Sequence, residues 1–117
     1  MSEKLTDLTF MRGLTNGNNT NLIKYIHMFL KATPGLLDTI DKSLVIKDWE
    51  TLRVTAHSLK PQLSYMGIKS LEETIKTIEF NAGHGLNLDT MPDLISKLRT
   101  DCNTAMVELE ADLKSLS

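Results

Sequence analysis

Leu52-Arg53-Val54-Thr55-Ala56-His57-Ser58-Leu59-Lys60-Pro61-Gln62-Leu63-Ser64-Tyr65-Met66-Gly67 carries two patterns at once. Leu52, Ala56, Leu59, Leu63 and Met66 recur at spacings of 4, 3, 4 and 3, the stripe of a helix with one buried face. His57 lies off that stripe, pointing roughly 140° from its centre at about 100° per residue. Lys60 and Ser64 follow three and seven residues later, so imidazole, ammonium and hydroxyl share one outward strip. An exposed imidazole beside a fixed cation adds little to a core. It is well placed to hold a transferable phosphoryl group.

Working outward, nearly every segment reads as helix. A short first helix is expected from Leu5 to Arg12, with Gly13 ending it. Asn18 or Asn19 is placed to cap a second helical stretch whose apolar face runs from Leu22 to Leu44. Pro34-Gly35 should kink or break that stretch, because proline lacks the N–H and clashes with the preceding turn. Asp48 caps the helix that carries His57, and Gly67 ends it. Ile68, Leu71, Ile75, Ile78 and Ala82 mark a fourth helix, followed by a loop from Gly83 to Asn87. Asp89 or Thr90 caps the last helix, Pro92 suits its first turn, and its stripe runs Leu94, Leu98, Cys102, Ala105, Leu109, Leu113 and Leu116. Nothing alternates with a period of two. The expected fold is all-α: an antiparallel four-helix bundle packed at shallow angles, with the short N-terminal helix covering one end.

Composition narrows the function. The 117 residues suit a single domain spanning 1–117 with one core. A hydrophobic content of 41% is too high for disorder. Thirteen basic and fifteen acidic residues, for a formal charge of −2, argue against nucleic acid as the partner. Cys102 is the only cysteine and falls on an apolar stripe, which reads as a core thiol. No apolar run is long enough for a membrane helix, and the N-terminus lacks the apolar stretch of a signal peptide, so a cytoplasmic location is expected. The three histidines lack a metal-ligand spacing, and no glycine-rich phosphate loop is present, so neither a metal nor ATP is expected to bind. His27 reads as a residue at the core boundary and His84 as part of a glycine-flanked loop.

The segment Ala56, His57, Leu59, Lys60, Ser64 and Gly67 resembles the signature of histidine-containing phosphotransfer (HPt) domains. Phe29-Leu30, Pro34 and Asp48-Trp49 upstream, and Leu71 and Ile75 downstream, extend the likeness over roughly residues 20–80. Glu79, 22 residues after His57, falls where the family usually has glutamate or glutamine. One position departs: Pro61 stands where the family most often has glycine, which removes a helical hydrogen bond to the His57 carbonyl and should bend the helix.

The resemblance implies a phosphorelay intermediate. His57 would accept a phosphoryl group on Nε2 from the aspartate of one receiver domain and pass it to another. Lys60 would neutralise phosphate oxygens, and Glu79 would hold Nδ1. Small Ser64 would let the partner approach, while Val54, Pro61 and Tyr65 add apolar docking area. The domain is expected to act as a monomeric phosphocarrier without a cofactor of its own, the receiver supplying a divalent metal and most catalytic groups. The competing reading is a helical adaptor that binds receiver-like partners without phosphoryl transfer. Loss of the histidine or lysine would mark it, and both are present.

Overall fold

The computed structural model describes residues 4–116. Its helices are α1 (Thr9–Leu14), α2 (Asn19–Ile46), α3 (Trp49–Tyr65), α4 (Glu72–His84) and α5 (Met91–Leu116), with single 3-10 turns at Lys69–Leu71 and Leu88–Thr90. No strand occurs among the described residues. Helix α2 packs on α3, α3 on α4, α4 on α5, and α5 back on α2, closing the four-helix bundle. The shared core includes Phe29 and Ile40 of α2, Leu59 and Leu63 of α3, Ile78 of α4 and Leu98 of α5, all essentially inaccessible to solvent.

Local chemistry sets the boundaries. The Asn18 side chain accepts from the Asn21 amide at 3.0 Å and the Asp48 side chain from the Thr51 amide at 3.1 Å, so each helix start has its N-cap. Helix α2 runs unbroken through Pro34, and α3 through Pro61, so a break at Pro34-Gly35 is excluded. A proline in a helix interior costs about 3 kcal/mol. Each fully buried large apolar side chain returns about 1.5–3 kcal/mol. Leu59 and Leu63 flank Pro61, and Phe29, Leu37 and Ile40 flank Pro34, all buried, so the core holds both helices together across the missing donor.

Several expected boundaries move. The first helix starts at Thr9 rather than Leu5 and takes in Gly13, with Thr15 as its C-cap. Residues 5–8 form a strap instead, with the Leu5 and Thr6 amides donating to the Glu108 carboxylate and the Asp7 amide to the Met66 carbonyl. The fourth segment opens as a 3-10 turn before α4 proper. That helix absorbs Gly83 and His84, and Gly85, at φ +64°, provides the left-handed C-cap. Leu88–Thr90 is a 3-10 turn leading into Met91, with Pro92 in the first turn of α5. Met91 and Ile95 join the buried stripe of α5 where Leu94 was expected, and Leu94 is only partly covered. Cys102 is buried, and that burial pushes its thiol pKa up to about 12, leaving it an inert core group.

Candidate functional site

His57 stands on the outer strip of α3 with its side chain 65% exposed, although Ala56 before it is fully buried. Helix α4 buries Ile75, Ile78 and Ala82 against the bundle, which places Glu79 at the edge facing α3. The Glu79 carboxylate, 18% exposed, joins two groups of α3. His57 Nδ1 lies 2.6 Å from its Oε2, and Lys60 Nζ donates to its Oε1 at 2.7 Å. The Lys60 bond is the main reason that the Glu79 pKa lies below the ordinary glutamate value, with His57 adding to it against partial burial.

Those distances assign the protons. An ionised carboxylate only accepts, so the bond to His57 requires the hydrogen on Nδ1. In the neutral ring the lone pair is then on Nε2, on the far side of the ring from Glu79. A neutral imidazole in this tautomer is a nucleophile with a fixed orientation, and the carboxylate behind it stabilises the cation that forms when Nε2 reacts. Lys60 is one helical turn away, half-exposed and tethered to the same carboxylate. The three residues singled out in the sequence thus meet in one hydrogen-bonded chain.

A cleft of about 340 Å³ beside the triad is bounded by Arg53, Lys60, Lys76, Glu79, Phe80, Gly83 and His84. A Cβ at Gly83 would sit 2.9 Å from Arg53 Cδ, so the absent side chain lets the Arg53 stem lie across α4. His27 is exposed rather than at the core boundary. His84 occupies the last turn of α4, its Nδ1 donating to the Phe80 carbonyl at 2.9 Å and its ring stacked on Phe80. Neither reaches the triad.

Val54, Pro61, Ser64 and Tyr65 are all exposed on the same side of α3 as His57. The sequence did not reveal what Tyr65 belongs to. Its ring stacks on Phe10 of α1 at 6.0 Å, and it lines an apolar groove of about 280 Å³ with Met11, Leu14, Tyr25, Met28, Gln62 and Met66. Phe10, Leu14 and Met28 are each more than half exposed, which is unusual for large apolar side chains lying together. The signal available was Tyr25 and Met28, three residues apart on the polar side of α2. Gln62 is also part of this groove.

The Hpt domain family model matches residues 24–116. Among solved structures, histidine-containing phosphotransfer protein B of Pseudomonas aeruginosa PAO1 superposes with a TM-score of 0.87 at 23% identity, covering 97% of this chain and 98% of that one. At that identity the likeness speaks for the fold. No curated protein matches the chain.

Proposed function

Because the chain belongs to the Hpt domain family, whose members are phosphorelay intermediates in two-component signalling that interact with receiver domains, we propose that His57 is its phosphoacceptor. The Nε2 lone pair attacks the phosphorus of a receiver aspartyl phosphate. The N–P bond forms as the acyl P–O bond breaks, and its electron pair returns to the aspartate as carboxylate. No proton moves: Nδ1 keeps its hydrogen on Glu79, and the ring becomes a cation opposite that carboxylate. The reverse sequence delivers the phosphoryl group to a second receiver.

The Glu79 bridge supports this reading best, since it fixes the tautomer and holds a cation one turn from the nucleophile. Lys60 turns from Glu79 toward the phosphoryl oxygens, where its point charge offsets the incoming negative charge. On this reading the divalent metal and the groups that polarise the acyl phosphate are supplied by the receiver. The receiver docks over Val54, Pro61 and Ser64 and onto the groove at Tyr65, a surface continuous with the nucleophile. We take the domain to act as a monomer in the cytoplasm; no helix among the described residues is long and apolar enough to cross a membrane.

Incubation with a phosphorylated receiver should put acid-labile, base-stable label on this protein, and His57→Gln should abolish it. Full labelling of the glutamine variant, or label mapped to His27 or His84, would sink the assignment. Persistent binding of a receiver with no label on the wild type would favour the adaptor reading.

A further inference from the structure

The carboxylate of Glu108 has no role in the triad, yet it gathers three donors from a segment about a hundred residues away. It accepts from the Leu5 amide at 2.9 Å, the Thr6 amide at 3.0 Å and the Thr6 hydroxyl at 2.8 Å. Half-burial works against its charge, and the three bonds more than offset it, so its pKa lies below the ordinary glutamate value. One turn further along α5, Asp112 pairs with Lys4. On its other side the strap is tied to the end of α3: the Asp7 amide donates to the Met66 carbonyl at 2.9 Å. Gly67 gives the room for this, since a Cβ there would meet the Asp7 carbonyl oxygen at 2.2 Å.

The bundle of α2–α5 closes without any of these bonds, and the family match begins only at residue 24. What the strap does is deliver α1. Leu8 and Met11 become buried, while Phe10 lies on Tyr65 and Leu14 forms one wall of the apolar groove. A six-residue helix is too short to hold that position by itself. We infer that Glu108 is a positioning residue for partner docking: its carboxylate latches the strap to α5, so that α1 presents Phe10 and Leu14 to the receiver domain. The groove exists in its full form only while the latch is closed. This inference rests on the phosphorelay reading.

Glu108→Ala tests it on the full chain. Amide hydrogen exchange should lose protection across residues 5–14 and keep it in α2–α5. The KM for a phosphorylated receiver should rise roughly five- to tenfold, as expected for losing one wall of a docking surface. The kcat, and labelling by phosphoramidate (a small donor that needs no docking), should stay within about twofold. Thr6→Val, which removes one of the three bonds from the strap side, should move exchange and KM in the same direction by less, and it covers the case of a poorly folded alanine variant. Unchanged exchange at residues 5–14 overturns the latch. Lost protection with an unchanged KM overturns the role of α1 in docking. If phosphoramidate fails to label His57 even in the wild type, the phosphoacceptor assignment fails, while exchange still decides the latch.

Discussion

Gly67→Ala isolates how much the approach of the N-terminal strap to α3 contributes. Two costs are superposed at this position. Gly67 has φ +66°, where an L side chain costs about 1–2 kcal/mol. Its added Cβ would also stand 2.2 Å from the Asp7 carbonyl oxygen and 2.8 Å from Asp7 Cβ. The nearest of those atoms is backbone, which cannot swing aside as a side chain would. Relief requires lifting the strap, and with it goes the bond from the Asp7 amide to the Met66 carbonyl, worth about 1 kcal/mol net. The total is about 2–3 kcal/mol. A domain of 117 residues has an unfolding entropy near 0.25 kcal/mol/K, so the melting temperature should fall by roughly 8–12 °C.

Gly85 provides the control. Its φ is +64°, and nothing lies within 4 Å of an added Cβ, so Gly85→Ala carries the backbone cost alone, roughly 4–8 °C. The measurement is thermal unfolding by circular dichroism on both variants under one buffer condition. Equal losses at the two glycines would refute the argument, because they would mean that the strap yields without cost. Gly67→Ala should in addition raise the KM for a phosphorylated receiver in the same direction as Glu108→Ala.

Glu79→Ala should slow labelling by phosphoramidate about tenfold or more, the scale of one hydrogen bond to a charged group, while Glu79→Gln, which still accepts from Nδ1, should lose less; wild-type rates in the alanine variant would remove the orienting role. Thr33 Oγ1 is buried without a hydrogen-bond partner, so Thr33→Val should be neutral or raise the melting temperature by a few degrees, and a clear loss would mean that the hydroxyl has a partner after all. Acid should weaken the fold through Glu79 and Glu108. Both have folded pKa values below the ordinary 4.5, so the unfolded chain binds more protons, and the stabilisation present above 4.5 is lost as pH falls through the folded values. Glu108→Gln should flatten the melting temperature against pH in that window, and an unchanged slope would show that Glu108 does not contribute to it.

The sequence disclosed the bundle and the pairing of His57 with Lys60 because both are written in helical spacing. A 4, 3, 4, 3 stripe names the buried face of α3, and its complement places His57 and Lys60 together. Glu79 came from the family resemblance, and its place one residue past the buried Ile78 puts it at the edge of α4. The break expected at Pro34 was read from local chemistry alone. Buried neighbours on both sides outweigh the absent donor in α2, a term that local chemistry does not contain, whereas at Pro61 the continuing stripe already called for a helix that runs on.

The strap and the groove were out of reach for a different reason. Glu108 and Thr6 are 102 residues apart, and nothing in the periodicity of α5 distinguishes a carboxylate that meets solvent from one that meets two backbone amides. Leu5, Leu8 and Met11 suggested a helix because their spacing is helical. The same spacing also serves a strap followed by a short helix, with Leu8 and Met11 buried and Leu5 packed at the edge of the core. Polar latches of this kind join residues by tertiary geometry, so their two halves look like ordinary surface until the helices are assembled. The proposed nucleophile is therefore readable from α3 alone. The docking surface we propose depends on α1, whose strap is bonded to Glu108 near the far end of the sequence, so on that reading specificity can vary while His57, Lys60 and Glu79 stay fixed.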